Sequence, residues 1–354
     1  MKTIDKIFNN YESESDGPRG HLGGSQIGHP CSRALWYGFR WAESKQFDGR
    51  MLRLFQRGHR TEHVFIGELE KAGVTIYQYD PNTGEQFNYN AFGGHFAGST
   101  DGVGKGVAEN PEVWHLLEFK THNERSFKTL ETQGVEKSKP EHFSQMQIYM
   151  HWSKLKAAFY LAENKNNDSL YSEVIEYNAD VAARLLNKAE RIIESSTPTE
   201  RVSDDPDYYR CGPKWCEFRD ICQGRKTAKV NCRTCVHSTP STSGSGAQWT
   251  CARFRDSVIP LQAQRAGCPE HRFIPDLIPW AKAVDASKDD NWVEYELDGG
   301  FRFRNGFGGE NGYTSNELSA VDKSSVGFLL GDSTITSLRD HLNAELIEYK
   351  KNEV

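Results

Sequence analysis

The sequence predicts a mixed α/β protein of the α+β kind, because helical and strand-like hydrophobic patterns succeed each other over about 180 residues. The region opens with a helical pattern in which Leu35, Trp36 and Phe39 are spaced for one face. Strand-like alternation begins at residue 74, and further helical segments follow it. The 354 residues of the chain are enough for one large domain or two ordinary ones.

The predicted elements run in the order helices, strands, helices, strands, helix. Apolar positions three to four residues apart predict helices, and alternation predicts strands. The predicted helices are 25–42, 49–72, 125–132, 141–154 and 179–196, and the predicted strands are 74–80, 85–92, 93–103, 113–121, 156–164 and 169–177. The first two strands should form a hairpin around a Pro-Asn-Thr-Gly turn. A second hairpin is predicted at 292–306, and a closing helix at 337–354.

Composition divides the chain into five segments. Residues 1–20 are polar and rich in Gly, Ser and Asp, so we expect them to be disordered or extended. A core spans 21–200, and two cysteine-bearing segments without periodicity follow at 201–230 and 231–280. Such segments bury too little apolar surface to fold alone, which predicts stabilisation by metal. The residues of the small C-terminal region 281–354 indicate no role.

Composition and charge exclude several classes of protein. Hydrophobic residues make up 37% and charged residues 26% of the chain, which is typical of globular proteins and not of disorder. No apolar run could span a bilayer and the first residues lack the apolar core of a signal peptide, so we expect a cytoplasmic protein. The net charge of −6 argues against coating nucleic acid by bulk charge, although a local basic groove could still bind DNA.

The eight cysteines predict metal ligation, because a reducing cytoplasm disfavours structural disulfides. The first cysteine group is Cys31, Cys211, Cys216 and Cys222, and the second cysteine group is Cys232, Cys235, Cys251 and Cys268. The second group contains the C-x2-C spacing typical of a zinc site, with His237 or His271 as substitute ligands. We therefore expect a structural Zn²⁺ in residues 231–280, and a DNA-gripping finger is the alternative.

The stretch from Gly98 to Lys120 has the layout of a divalent-metal site. Asp101 lies in a Gly-rich turn, and Glu118 and Lys120 close an apolar strand. Since side chains alternate along a strand, Glu118 and Lys120 point the same way and Phe119 points to the opposite face. With Asp101 on a neighbouring strand, the two acids would form an oxygen site for Mg²⁺ or Mn²⁺, and Lys120 would orient or deprotonate a water. A surface ion pair is the alternative.

Two helices extend this layout and together resemble a known family. Glu62 lies in the helix before the stretch, and Gln145 and Tyr149 share one face of the helix after it. These motifs resemble the PD-(D/E)xK nuclease superfamily, more specifically its RecB-like and phage-exonuclease branch with an iron-sulfur cysteine clasp. The resemblance covers residues 25–222 and implies a restriction-endonuclease-like αβββαβ core. The catalytic positions that it implies are Glu62, Asp101, Glu118, Lys120, Gln145 and Tyr149.

The chain departs from the family pattern at two positions. Thr100 stands before Asp101 where the family has Pro, which is a common variation. The first family motif often has His four positions after a Gly, whereas here Glu62 follows Gly58. His63 is one place further on and would point about 100° away around the helix, so we assign the ligand role to Glu62. A solvated charged helix face is the alternative.

The resemblance also implies two metal sites. Glu62, Asp101 and Glu118 would hold Mg²⁺ or Mn²⁺. The first cysteine group would ligate a [4Fe-4S] cluster, with one cysteine before the core and three after it. Four residues separate Cys211 from Cys216 where the family commonly has two, so zinc is the alternative at this site. Zn²⁺ remains the expectation for the second cysteine group.

The function that the resemblance implies is that of a divalent-metal-dependent DNA nuclease, and more specifically an exonuclease of the phage recombination or replication type. An endonuclease on the same core, or a non-catalytic DNA-end binding or assembly module, is the alternative. The implied partners are DNA with a free end and a recombination or replication protein, without a membrane, in the host cytoplasm if the gene belongs to a phage. Gln145 and Tyr149 would hydrogen-bond phosphate or sugar.

Overall fold

The computed structural model describes residues 1–14, 17–43, 47–307, 311–325 and 341. The chain divides into two compact units. The first unit comprises Met1–Pro30, Gln46–Arg191 and Ser243–Gly246, and the second comprises Cys31–Lys45, Ile192–Thr242 and Ala247–Val354. Both units contain helices and strands, which confirms the mixed α/β class.

The elements of the described residues are numbered in chain order. The helices are α1 (Thr3–Ser13), α2 (Ser32–Phe39), α3 (Gly49–Lys71), α4 (Glu124–Ser138), α5 (Pro140–Ser153), α6 (Ala179–Glu194), α7 (Arg219–Cys222), α8 (Leu261–Ala266) and α9 (Ser315–Ser319). The strands are β1 (Leu22–Gly23), β2 (Thr75–Tyr77), β3 (Asn88–Ala91), β4 (Phe96–Ser99), β5 (Val103–Lys105), β6 (Trp114–His122), β7 (Ala157–Asn164), β8 (Leu170–Glu176), β9 (Ser238–Pro240), β10 (Trp249–Cys251), β11 (Ser257–Val258), β12 (Lys282–Ser287), β13 (Trp292–Glu296), β14 (Arg302–Asn305) and β15 (Gly312–Tyr313).

The first unit is built around a five-stranded sheet with the order β2-β5-β6-β7-β8. Strands β6 and β7 run parallel, from His115 opposite Ala157 to His122 opposite Asn164. Their outer neighbours β5 and β8 are antiparallel to them. A parallel pair requires a crossover connection, and α4 and α5 supply it here. Strands β1, β4 and β3 form a small second sheet.

The five-stranded sheet separates an apolar face from a polar one. Phe65 of α3 packs in a core cluster with Leu117 and Phe119 of β6, and the rings of Phe65 and Phe119 are 5.4 Å apart. Between those two strand positions, Glu118 points the other way and contacts Gln145 of α5. The alternation of β6 therefore places Leu117 and Phe119 under α3 and turns Glu118 towards α5.

The hairpin predicted for residues 74–92 is wrong in its pairing. Strand β2 pairs with β5 and β3 pairs with β4, so the two strands belong to different sheets. Tyr79 and Gln86 form an isolated bridge beside the turn. The strand predicted at 93–103 is divided into β4 and β5, with Gly102 at φ +146° between them, a conformation suited to glycine. Alternation fixes the face of a residue but not the partner of its strand.

The N-terminal segment contains a helix where the sequence analysis expects disordered or extended chain. Helix α1 starts with a hydrogen bond from the Lys2 backbone N–H to Asp5 Oδ2 at 2.8 Å, an N-terminal capping interaction. Its end is tied to α3 because the Gly49 N–H donates to Glu12 Oε1 at 2.7 Å. Gly49 also lies against the backbone of Phe8, where a Cβ would collide. The contacts with Gly49 join residues far apart in sequence, which explains why local composition did not predict them.

The second unit contains two small sheets, with the orders β11-β10-β9 and β12-β13-β14-β15. Strands β13 and β14 confirm the hairpin predicted at 292–306, with Val293 opposite Asn305. The closing helix predicted at 337–354 falls outside the described residues apart from position 341. No helix in the described ranges has the length and apolar character needed to cross a membrane.

Two buried arginines organise the second unit. The Arg233 guanidinium stands 3.6 Å from the centroid of the Trp41 ring and donates to the Phe39 carbonyl at 3.1 Å. Arg40 donates to the carbonyls of Ser195 and Arg233, each at 3.0 Å. Burial lowers the pKa of Arg233 to about 9 and that of Arg40 to about 10. Carbonyl oxygens and aromatic faces thus compensate these guanidinium groups for the water they lose.

Phe65→Ala tests the packing of α3 on the sheet. Phe65 is 1% exposed, so its truncation should lower the free energy of unfolding by about 3–5 kcal/mol through lost burial and a cavity. Urea denaturation measures the change. The neighbouring Val64→Ala is the control, because Val64 is 53% exposed and should change stability by less than about 0.5 kcal/mol. Equal effects of the two substitutions would contradict this packing.

Candidate active site

Strand β6 presents three polar side chains on one face of the central sheet. Glu118, Lys120 and His122 occupy alternate positions, so they share the face opposite Phe119. Glu118 is 0% exposed, whereas the side chain of Lys120 remains 27% exposed. The Lys120 Nζ lies against Glu118 Oε1. The pair therefore consists of a buried carboxylate and a partly accessible ammonium.

The turn between β4 and β5 brings Asp101 to the same place. Its Oδ2 accepts a hydrogen bond from the Phe119 backbone N–H at 2.8 Å. Thr100 holds the turn through contacts of its hydroxyl with backbone carbonyl groups. Because Phe119 lies between Glu118 and Lys120, this bond brings the Asp101 carboxylate close to both side chains.

The cluster contains more acid than its base can neutralise. Burial raises the pKa of Glu118 to about 7, with Lys120 opposing the rise and Asp101 adding to it. Burial also raises the pKa of Asp101, against the opposite effect of Lys120. For Lys120, burial acts to lower the pKa, but the carboxylates of Glu118 and Asp101 outweigh it and the pKa is raised. Crowded buried acids of this kind favour a further cation.

Glu62 approaches the cluster from α3. Its side chain is 30% exposed, and its charge affects the pKa values of Asp101, Glu118 and Lys120. Such an influence requires Glu62 to lie within electrostatic reach of all three groups. His63 is exposed. The role of Glu62 as a metal ligand stays a prediction.

Helix α5 supports the cluster from the polar face of the sheet. Gln145, which is 7% exposed, donates from Nε2 to Glu118 Oε2 at 2.9 Å. Tyr149 is 2% exposed and fills the space left by two glycines, since a Cβ on Gly24 or Gly98 would collide with it. Gln145 therefore orients a carboxylate in this structure. The contact of Gln145 and Tyr149 with phosphate or sugar stays a prediction.

The sequence analysis missed a second polar cluster beside Lys120. His122 Nε2 lies 2.8 Å from the Tyr160 hydroxyl, and His142 Nδ1 lies 3.0 Å from the same hydroxyl. Burial lowers the pKa of His122 to about 4 and lowers that of His142 well below its ordinary value, and nearby lysines add to both shifts. Extending the alternation of β6 by one step beyond Lys120 would have found His122. The other members of the cluster are His142 of α5 and Tyr160 of β7, and no local sequence pattern indicates that these elements meet β6.

The first cysteine group is gathered in the second unit. Cys31 precedes the first residue of α2, and Cys222 is the last residue of α7. Burial raises the pKa of Cys216 to about 11, and the thiols of the other three cysteines add to the rise. The pKa of Cys211 is likewise raised by burial first and then by Cys31 and Cys222. Thiols that affect each other in this way lie close together.

The second cysteine group lines a cavity of about 10 Å³, the volume of a single water-sized sphere. Burial raises the pKa of Cys232 to about 12 and that of Cys235 to about 11, and other thiols of the group add to both rises. His237 and His271 also border the cavity. One ring nitrogen of each contacts another side chain, at 2.7 Å and 3.2 Å respectively. The binding of Zn²⁺ by this group stays a prediction.

The acid cluster around Glu118 and the two cysteine groups contain donor atoms that suit metal ions, but their side chains are not arranged as a metal site. All eight cysteines lie in the described part of the chain, and none of them forms a disulfide there. In the part of the chain that the structure describes, no group of three or more His, Cys, Asp or Glu side chains is arranged to hold a metal ion.

Comparisons with known proteins give weak likenesses. No protein-family model and no curated protein matches the chain. Among solved structures, the alkaline exonuclease of Laribacter hongkongensis gives a TM-score of 0.34 at 17% identity, over 52% of this chain and 90% of that one. The structure of that exonuclease in complex with dAMP gives a TM-score of 0.33 at 15% identity, over 53% of this chain and 89% of that one. The structure of a protein designated SSO0001 gives a TM-score of 0.36 at 16% identity, over 62% of this chain and 93% of that one. TM-scores of this size do not establish a common fold.

The buried histidine predicts a pH dependence of stability. The folded state holds His122 neutral with a pKa of about 4, whereas the unfolded chain protonates it near pH 6.5. Acidification therefore favours the unfolded state, and this contribution should lower the free energy of unfolding by about 2 kcal/mol between pH 7 and pH 5. Urea denaturation of the wild type and His122→Gln at both pH values measures it.

In that comparison, His122→Gln should show the shallower loss of stability on acidification. The control is His63→Gln, because His63 is exposed and its replacement should change the free energy of unfolding by less than about 0.5 kcal/mol at either pH. The same pH dependence in the wild type and His122→Gln would rule out the buried neutral histidine as a source of acid sensitivity.

Proposed function

We propose that the protein is a divalent-metal-dependent DNA nuclease whose active site consists of Glu62, Asp101, Glu118 and Lys120. The observation that carries the proposal is the charge of the cluster. Three carboxylates face one ammonium, so the formal charge is −3 + 1 = −2 when all are ionised, and Glu118 is fully buried. Uncompensated buried charge is costly. A divalent cation would offset it, and all-oxygen donors favour Mg²⁺ or Mn²⁺.

The residues of the cluster divide the work of phosphodiester hydrolysis. Glu62, Asp101 and Glu118 would hold one or two ions, which would polarise the scissile phosphate and acidify a water when bound. Lys120 lies beside both acids and is partly exposed, so its Nζ would orient the attacking water. Gln145 keeps Glu118 in one orientation through its 2.9 Å hydrogen bond.

The resemblance to the RecB-like and phage-exonuclease branch supports an exonuclease that acts on DNA with a free end in recombination or replication. The same cluster could serve an endonuclease, and closed circular DNA separates the two activities. Incubation with end-labelled linear single-stranded DNA, linear duplex and circular DNA in Mg²⁺ or Mn²⁺ tests this part of the proposal. Cleavage of linear DNA alone supports the exonuclease, and cleavage of the circle overturns it.

We also propose that the two cysteine groups bind metal. Four gathered thiols fit a [4Fe-4S] cluster at the first group, and four thiols around a small cavity fit Zn²⁺ at the second. Arg233 lies between Cys232 and Cys235 in sequence and donates to Phe39, the last residue of the helix that starts after Cys31. Metal at both groups would therefore stabilise a connected part of the second unit.

Substitution of Asp101 or Lys120 tests the active site. Asp101→Ala and Lys120→Ala should each lower Mn²⁺-dependent cleavage roughly 100-fold or more, because a metal ligand or the water-orienting group is lost. For Asp101→Ala, the circular dichroism spectrum and DNA binding in EDTA should stay close to those of the wild type, whereas Lys120→Ala should also lower the melting temperature because the buried Glu118 loses its ammonium partner. Lys128→Ala is the control, since that side chain is 72% exposed. Full activity of Asp101→Ala would refute the assignment.

Elemental analysis tests the cysteine groups. Protein purified anaerobically should be brown and contain about four iron atoms per chain, together with about one zinc. Cys216→Ala should lose the iron and the colour, whereas Cys251→Ala should lose the zinc and keep the colour. A colourless wild type with two zinc ions would replace the iron-sulfur proposal by its zinc alternative.

A further inference from the structure

Four arginines form a row on α3, the helix that also carries Glu62. The arginine row consists of Arg50, Arg53, Arg57 and Arg60. Their spacing of three, four and three residues places them within an arc of roughly 80° on one side of the helix. All four side chains are exposed. Within the described ranges of the chain, none of them forms an ion pair with an acidic side chain.

The arginine row is unfavourable for the helix itself. Like charges three or four residues apart repel each other. Arg50 and Arg53 lie near the helix N-terminus, where the helix dipole disfavours cations, and the acids at this end, Asp48 and Glu12, bond to backbone N–H groups. The chain as a whole carries a net charge of −6, so this row is a local reversal of its charge. An anionic partner would relieve the repulsion among the four arginines.

The position of the row relates it to the active site. The N-terminal half of α3 is mostly exposed, and burial against the sheet begins at Thr61 and Phe65. Arg57 Nη2 donates to the Lys165 carbonyl at 3.4 Å. The Lys165 N–H in turn donates to the carbonyl of His122 at 2.9 Å. Arg57 therefore lies near the end of β6, two residues beyond Lys120, whereas the row as a whole lies on the side of α3 opposite Glu62.

We propose that the arginine row binds the sugar–phosphate backbone of DNA outside the active site, a proposal that rests on the proposed nuclease function. Ten helical residues span about 15 Å, which corresponds to about four phosphates of a strand that rises about 3.4 Å per nucleotide. Guanidinium groups bind phosphate oxygens in a forked geometry and read no bases. The row therefore selects for DNA that extends several nucleotides beyond the scissile bond, whatever its sequence.

Binding of a labelled duplex tests the proposal without cleavage. Fluorescence anisotropy in EDTA gives the dissociation constant of a duplex of about 20 base pairs over a range of NaCl concentrations. Arg53→Gln/Arg57→Gln should weaken binding of the duplex roughly 10-fold to 100-fold. The slope of the logarithm of the association constant against the logarithm of the salt concentration should become shallower by about 1.8, or about 0.9 per lost phosphate contact. Arg53→Lys/Arg57→Lys should retain most of the slope, because the charge remains.

The controls separate this proposal from a general loss of charge or fold. Lys71→Gln/Arg184→Gln removes two exposed charges of the same unit that lie outside the row, and its salt slope should equal that of the wild type. The melting temperature of Arg53→Gln/Arg57→Gln should be at least that of the wild type, since repulsion is relieved. An unchanged slope in this variant, or an equal loss in the control, overturns the proposal.

The cleavage assay separates the two levels of inference. If the wild type degrades DNA in Mn²⁺ and the salt slope does not depend on the row, the nuclease function stands and the backbone site is wrong. If the slope depends on the row and the wild type cleaves no DNA substrate, the backbone site stands and the nuclease function is wrong.

Discussion

The burial of the Glu118 carboxylate beside Lys120 is the constraint on which the first unit depends. A carboxylate at 0% exposure is stable only when its oxygens have partners. Lys120 faces one oxygen and Gln145 donates to the other. The parallel pairing of β6 and β7, the crossover through α4 and α5, and the turn that holds Asp101 all bring partners to this carboxylate.

The sequence was most informative where one element carries the signal. The alternation of β6 correctly separates Glu118 and Lys120 from Phe119, and the helical periodicity of α3 and α5 places Glu62 and Gln145 on defined faces. The sequence did not predict which distant segments pair. Strands β2 and β3, predicted as a hairpin, belong to two different sheets. Strand alternation is equally satisfied by several partners, so the choice depends on tertiary packing that a local pattern does not contain.

Two features of the site escaped prediction for the same physical reason. The hydrogen bond from Gln145 to Glu118 depends on how α5 crosses β6, and the histidines meet Tyr160 only after β6, α5 and β7 are assembled. The cysteine groups differ, since C-x2-C spacing is local and informative. The meeting of Cys31 with the later cysteines of its group came from the family resemblance and not from any spacing.

Titration with Mn²⁺ tests the central claim that the buried acids form a divalent-cation site. Isothermal titration calorimetry of the wild type and Glu118→Gln compares two side chains of nearly equal shape that differ in charge. The account predicts that the wild type binds Mn²⁺ and that Glu118→Gln binds it at least about tenfold more weakly, because a buried anionic ligand is lost. Equal affinity of the two proteins for Mn²⁺ would contradict the account.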